Sequence, residues 1–177
     1  MPHPWDRYST GSGSLAPFHP AARVWLPDDF FWDSADYFSP VGNDVGADVL
    51  NGYREWRRAH GSEGRHEYLK SLLIKWGIPA DWDQPGPGET HLIEGDDFVR
   101  ATGDRAIVAF AFAQIMVDGH VDRYSLDRAI RAVERQRAGA GADAGRFRAR
   151  REVYEGWISS YDRTAAALLR LVESESR

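Results

Sequence analysis

Apolar residues recur at helical spacing along most of the chain after residue 43. The first stripe consists of four residues at successive spacings of four, four and three, namely Val45, Val49, Tyr53 and Trp56. This pattern predicts an amphipathic helix. Asn43 or Asp44 suits its N-cap, because short polar side chains accept hydrogen bonds from free helix amides. Gly61 suits its end, because glycine readily adopts the left-handed conformation that closes a helix.

A second helix is predicted from about Glu63 to Trp76. Its inward positions are three leucines and a tryptophan, Leu69, Leu72, Leu73 and Trp76. Gly77 suits the position after this helix, and Pro79 follows where the helix cannot continue. Residues 77–103 then predict a long, turn-rich connection, in which residues 90–93 could add a short strand.

The run from Asp104 to Asp118 is apolar on nearly every side, which predicts the central helix of the core. Gly119 predicts a tight turn into a further helix, from Ser125 to about Arg137. The AGAGADAG sequence at 138–145 predicts a flexible joint. A last helix is predicted at about 146–173.

These elements predict a mostly α fold, a single-domain bundle of about five helices with an irregular, aromatic- and Asp-rich N-terminal segment. Residues 1–18 are rich in Gly, Ser and Pro and predict a flexible arm, so the single helical domain is expected at 19–177. Residues 23–43 show no clean period. Short strand-like or irregular turns are expected at 23–26 and 30–32.

Composition excludes several classes of protein. The chain has no cysteine, which excludes disulfides, thiol catalysis and Cys-ligated zinc. A formal net charge of -5 argues against nucleic-acid binding, which needs a basic face. No apolar run reaches the roughly 18 residues of a membrane span, and no signal peptide is recognised. We therefore expect a cytoplasmic protein that does not enter the membrane, and we predict no cofactor.

The residues from Val24 to Tyr53, called here the acidic-aromatic segment, combine carboxylates with aromatic rings. They include six aspartates and seven aromatics but neither Lys nor Arg. Aromatic rings favour burial, whereas aspartates must be solvated, paired, capping a helix or bound to a cation. We therefore predict that the functional surface lies in this segment.

The first functional hypothesis is a binding module of the adaptor or immunity type, which presents the acidic-aromatic segment to a basic partner. The candidate binding residues are five aromatics, Trp25, Phe31, Trp32, Tyr37 and Trp56. Under this hypothesis Trp32, Tyr37 and Phe38 are partly exposed. The sequence leaves open whether the partner is a protein or a small molecule.

The alternative is a small tailoring enzyme, cyclase- or hydrolase-like, with an aromatic-lined pocket. Asp33, Asp36 or Asp44 would serve as acid or base, since burial among aromatic rings raises a carboxyl pKa towards the working range. His91 is the best histidine candidate for acid-base chemistry, because it lies beside apolar residues in a connection. The sequence shows no complete catalytic constellation, which favours the binding hypothesis.

Clustered carboxylates raise the question of a metal. A site for calcium or magnesium is compatible with four of the aspartates, Asp33, Asp36, Asp44 and Asp48. Aspartates more commonly cap helices and form turns, so we predict no metal site. The string at 118–122 resembles a calcium loop but lacks its alternation of oxygen ligands, and a tight turn capped by Asp122 or Ser125 explains it.

Nine arginines lie between residues 123 and 151, against three acids. This basic patch could bind an acidic partner, a phosphate or nucleic acid, although the slight aromatic interleaving argues against nucleic acid. It could equally dock against the acidic-aromatic segment of a second copy, which would make a homodimer. The simpler interpretation is a solvated face with ion pairs along the helix, such as Asp127 with Arg131.

Three segments resemble the uncharacterised bacterial YfeS-like family: FFWD at 30–33, PVGNDVGAD at 40–48 and AFAQI at 111–115. The resemblance covers residues 19–137 in outline. It implies a small intracellular bacterial domain, and it implies no particular activity or ligand.

Overall fold

The computed structural model describes residues 17–61, 63–81, 83, 97–142 and 151–175. Within them the chain forms no strand, a 3₁₀ helix at Asp29–Trp32 and six α-helices: α1 (Ala22–Trp25), α2 (Asp44–His60), α3 (Arg65–Lys75), α4 (Asp97–Asp118), α5 (Arg123–Ala142) and α6 (Arg151–Glu175). The predicted mostly α bundle is confirmed. The arm up to residue 16 and the strand predicted at 90–93 lie outside the described residues.

Helix α4 is the centre of the fold. It packs against α1, α2, α3 and α5, and α6 packs on α5. Every side chain from 106 to 117 is buried, which confirms the central helix that the apolar run predicts. Even so, no helix of the described residues is both long and apolar enough to cross a membrane.

Both ends of α2 form as the sequence predicts. The Asn43 side chain accepts a hydrogen bond from the Gly46 amide at 2.9 Å, which caps the first turn. Gly61 has a φ of 66° and donates its amide to the Arg57 carbonyl. The stripe faces inward, with Val49 and Tyr53 fully buried. The predicted amphipathic helix is therefore confirmed with its boundaries.

Two helices are longer than predicted. Helix α4 begins at Asp97 instead of about Asp104, and Val99 in the added turns packs against the core. Helix α5 continues to Ala142 through most of the segment that predicts a flexible joint. The alanines of that segment have high helix propensity, and each glycine costs only about 1 kcal/mol. The segment therefore extends a helix that is already formed by the residues before it.

Short helices form at 22–25 and 29–32, where strand-like or irregular turns were expected. Asp28 starts the 3₁₀ helix, because its Oδ1 accepts a hydrogen bond from the Phe30 amide at 3.0 Å. The helix directs Phe31 inward, where its ring stacks on Phe112 with centroids 5.2 Å apart. The irregular segment therefore supplies core residues.

The connection between α4 and α5 is the predicted tight turn. Gly119 has a φ of 76°, and Asp122 Oδ1 accepts a hydrogen bond from the Ser125 amide at 3.0 Å. The Asp118 carboxylate accepts from the Tyr53 hydroxyl and from Arg57 Nε, both at 2.6 Å. These bonds satisfy Asp118 and join the end of α4 to α2.

Two ion pairs with buried carboxylates hold α5 in place. Arg128 Nη2 lies 2.5 Å from Asp83 Oδ1, and the two side chains are 5% and 0% exposed. Arg135 Nη2 lies 2.5 Å from Asp104 Oδ1 on α4. Burial raises the pKa of Asp104 to about 6, against the opposing effect of Arg135. Two arginines of the basic patch are therefore structural.

Candidate functional site

The aspartates proposed as acid or base lie at turns and at a helix end. Asp33 Oδ1 accepts from the Ala35 amide at 2.8 Å, and Asp36 Oδ1 accepts from the Phe38 amide at 2.9 Å. Asp44 is exposed in the first turn of α2, where a carboxylate suits the helix dipole. The enzymatic hypothesis needs one of these three at the base of a pocket. Neither concave surface described below includes them.

Two of the predicted binding aromatics belong to the core. Phe31 is 1% exposed and Trp32 is 3% exposed, so the expectation that Trp32 is partly exposed is wrong. Trp32 can be buried because its Nε1 donates to the Leu26 carbonyl at 2.7 Å. The Arg23 guanidinium covers its ring at 4.4 Å from the centroid.

The other aromatics at 25, 37 and 38 are only partly covered. Trp25 is half-buried and packs against the core. Tyr37 is 50% exposed and Phe38 is half-buried, as the binding hypothesis expects. Both rings lie edge-on to Trp157 of α6, with centroids 5.6 and 5.5 Å away. The partly covered edge of the acidic-aromatic segment therefore faces α6.

The structure assembles no cation site from the proposed aspartates. No group of three or more His, Cys, Asp or Glu side chains in the described part of the chain has the arrangement of a metal site. The predicted turn role accounts for Asp33 and Asp36, whereas Asn43 caps α2 and Asp44 lies exposed in its first turn. The histidine candidate, His91, lies outside the described residues.

Ion pairs neutralise part of the basic patch. Besides the buried pairs of α5, Arg123 Nε lies 2.9 Å from Asp127, one helical turn away. This pair replaces the predicted pairing of Asp127 with Arg131. Arg137 also lies 3.1 Å from Asp162 on α6. Residues 143–150 of the patch lie outside the described residues, and the predicted homodimer contact stays a prediction.

A groove of about 690 Å³ lies between α2 and α3. Its volume falls within the range of about 300–1,000 Å³ that is typical of ligand sites. Aromatic and polar side chains from both helices line it: Asp48, Asn51, Gly52, Glu55, Trp56, Tyr68, Ser71, Leu72, Lys75 and Trp76. Of the predicted binding residues, Trp56 alone lines this groove.

The α2 wall of the groove is acidic. Asp48 and Glu55 are both exposed and lie seven residues apart, which places them on one face of the helix. Neither carboxylate forms an ion pair within the described residues. Burial, together with the charges of Asp48 and Glu55, raises the pKa of Tyr68, so its hydroxyl stays neutral at the floor.

Stacked rings form the aromatic part of the groove. The Trp56 ring is parallel to Tyr53 at 6.0 Å and to His60 at 4.8 Å between centroids. Tyr68 lies deeper and donates its hydroxyl to the Val49 carbonyl at 2.8 Å. This bond holds α3 against α2 and fixes the floor of the groove.

Gly52 allows this close approach, because a Cβ atom there would lie 2.6 Å from the Tyr68 hydroxyl. We expect Gly52→Ala to displace Tyr68 and to lower the free energy of unfolding by about 1–3 kcal/mol, the usual cost of overpacking. Urea unfolding measures the change. The matched control is Gly139→Ala on α5, where a Cβ meets nothing within 4 Å. It should gain up to about 1 kcal/mol from helix propensity. Stabilisation by both substitutions would contradict the contact.

Sequence reasoning missed most of this groove. Glu55, Tyr68 and Trp76 were not among the predicted site residues, because periodicity assigns inward faces without showing which helices adjoin. A usable signal was present: Asp48 and Glu55 lie outside the apolar stripe of α2 at i, i+7 spacing. Two acids on one helical face beside Trp56 indicate a polar wall next to an aromatic one.

Comparisons with protein-family models, with curated proteins and with solved structures find no match to this chain. The resemblance to the YfeS-like family therefore stays a prediction. Any functional conclusion must come from the residues and their geometry.

Proposed function

We propose that this chain is a binding module that receives a basic side chain of a partner protein in the groove between α2 and α3. The observation that supports it is the pair of carboxylates, Asp48 and Glu55, without ion-pair partners in the described residues, on the wall of an aromatic groove. An arginine or lysine from a partner would supply the missing charge.

The groove offers two kinds of contact to a cation. A guanidinium or ammonium beside an indole of the groove gains about 0.5–1 kcal/mol at an exposed site and about 2 kcal/mol when desolvated. Trp76 is the better candidate for this contact, because Tyr53 and His60 stack on Trp56. Each carboxylate adds an ion pair worth up to about 1 kcal/mol at a surface. The net charge of -5 also attracts a basic partner over longer distances. Lys75 on the opposite wall limits where the partner's charge can lie.

The setting we propose is an adaptor or immunity-type role in the bacterial cytoplasm. The YfeS-like resemblance implies only the intracellular bacterial setting, and the role is our proposal from the groove. We prefer binding to catalysis because Asp33, Asp36 and Asp44 do not line the groove. The residues of the α2–α3 groove are mostly different from those that the sequence predicted for the binding surface. The chemistry is the same, because acids lie beside aromatic rings in both.

A labelled hexa-arginine peptide tests the proposal, with binding followed by fluorescence anisotropy. We expect the double variant Asp48→Asn/Glu55→Gln to bind about tenfold more weakly, since two surface ion pairs together contribute about 1–2 kcal/mol. Both side chains are exposed, so the fold should be unchanged. In ¹⁵N spectra, the indole N–H signals of Trp56 and Trp76 should shift on titration.

The matched control is Glu152→Gln/Glu173→Gln, which removes two exposed acids from α6 and changes the net charge equally. It should bind the peptide like the parent protein. Equal weakening by both double variants would mean that net charge alone attracts the peptide, and the proposed groove would then be wrong.

A further inference from the structure

A second concave surface lies where the loop at 37–43 meets α4, α5 and α6. It encloses a cavity of about 30 Å³. A site for one water needs about 10–15 Å³, so the cavity has room for two or three waters or for one small polar group. The polar residues of its lining include Arg105, Gln136, Tyr161 and Thr164.

Arg105 has aromatic neighbours in place of a carboxylate. Its Cζ lies 5.6 Å from the Tyr37 ring centroid and 5.1 Å from that of Trp157. Within the described residues the guanidinium forms no hydrogen bond and no ion pair. The acid beside it in sequence, Asp104, is bound to Arg135. Arg105 is half-buried, and none of the described residues compensates its positive charge at the cavity.

The hydroxyl groups around Arg105 suit an anion. Thr164 is only 4% exposed, and no hydrogen bond within the described residues uses its hydroxyl. Burial raises the pKa of Tyr161, so its hydroxyl stays protonated and can donate. A planar guanidinium with two neighbouring hydroxyls matches the fork geometry of a carboxylate.

We propose that this cavity binds the carboxylate of an acidic ligand, with Arg105 as its counter-charge and the Tyr37 and Trp157 rings beside the rest of the molecule. The size of the cavity favours a carboxylate over a phosphate, which brings further oxygens that need donors. The ligand is either a small organic acid or the free C-terminus of a peptide. This site is separate from the α2–α3 groove and takes the opposite charge, so it goes beyond the proposed function.

Titration of the ¹⁵N-labelled protein with sodium phenylacetate tests the proposal. We expect a saturable shift of the Trp157 indole N–H signal, which Trp157→Phe assigns. Phenylacetamide, the neutral analogue, and inorganic phosphate should produce no such shift. Saturation by either one with the affinity of phenylacetate, or no saturation by phenylacetate, would overturn the carboxylate site.

Variants of the arginine complete the test. Arg105→Gln should bind phenylacetate at least tenfold more weakly than the parent protein. Arg105→Lys keeps the positive charge and should bind with intermediate affinity. The lysine variant also tests the counter-charge if Arg105→Gln does not fold. Arg131→Gln, at an exposed position of α5, should bind like the parent. Equal affinity of the Arg105 and Arg131 variants would overturn the assignment of the counter-charge.

A comparison of two acids distinguishes the sources of the carboxylate. Tighter binding of acetyl-Gly-Phe with a free C-terminus than of phenylacetate would assign the site to a peptide end. The reverse order would assign it to a small organic acid, and both orders support a carboxylate site. The Asp48→Asn/Glu55→Gln variant should bind both acids like the parent, so the two proposals fail independently.

Discussion

Arg128→Ala is expected to lower the free energy of unfolding by about 3–5 kcal/mol, the cost of removing one partner of a buried ion pair. The substitution removes the nearer counter-charge of the Asp83 carboxylate, which is 0% exposed, and leaves only Arg135 at 3.9 Å among its ion-pair partners in the described residues. It also removes the bond that Arg128 Nη2 donates to the Ala80 carbonyl at 3.2 Å. These bonds attach the connection after α3 to α5, so we expect that connection to detach first.

Urea unfolding followed by circular dichroism measures the loss, with Arg131→Ala as the matched control. Arg131 is an exposed arginine three residues along the same helix, and its removal should change stability by less than about 0.5 kcal/mol. Replacing both partners, as Asp83→Leu/Arg128→Met, should recover most of the stability, because no unpaired charge remains buried. If Arg128→Ala were as stable as Arg131→Ala, the pair would be solvated and its structural role refuted.

The helices with complete local signals could be predicted from the sequence. Helix α2 has an apolar stripe, an asparagine cap and a terminal glycine, and each of these signals has the predicted role in the structure. The end of α5 could not be predicted in this way. Its last residues read as a glycine-rich joint, because two glycines outweighed the high helix propensity of the alanines between them.

The acidic-aromatic segment shows why the candidate site was harder to predict than the fold. Composition alone does not separate an aromatic that fills the core from one that contacts a ligand. Trp32 and Trp56 have the same residue type, and both were predicted to bind a ligand. Only the structure shows that Trp32 is 3% exposed while Trp56 lines a groove.

Arg105 is a candidate site residue that the sequence did not indicate. In the sequence it follows Asp104 at the start of an apolar run, and the pattern there does not show which groups its side chain contacts. In the structure Asp104 bonds to Arg135 on α5, and Arg105 turns towards rings of the 37–43 loop and α6. Asp104 has an ion-pair partner among the described residues and Arg105 has none, and only long-range contacts decide this difference.

Phe31→Ala and Tyr37→Ala together test which part of the acidic-aromatic segment is free to bind a ligand. Phe31 is 1% exposed and stacks on Phe112 of the central helix, so its truncation should cost about 3–5 kcal/mol. Tyr37 is 50% exposed, and its removal should cost less than about 1.5 kcal/mol, from its ring contacts. Thermal and urea unfolding of both variants give the comparison.

In phenylacetate binding, the two variants should rank in the opposite order to their ranking in stability. Tyr37→Ala removes one ring beside Arg105, so it should weaken phenylacetate binding while the fold remains intact. A Phe31→Ala variant that still folds should bind the acid with nearly parent affinity, since Phe31 does not line the cavity. Equal stability losses at the two positions would mean that Tyr37 is as structural as Phe31. Tyr37 would then stabilise the fold, and its ring would not be available to a ligand.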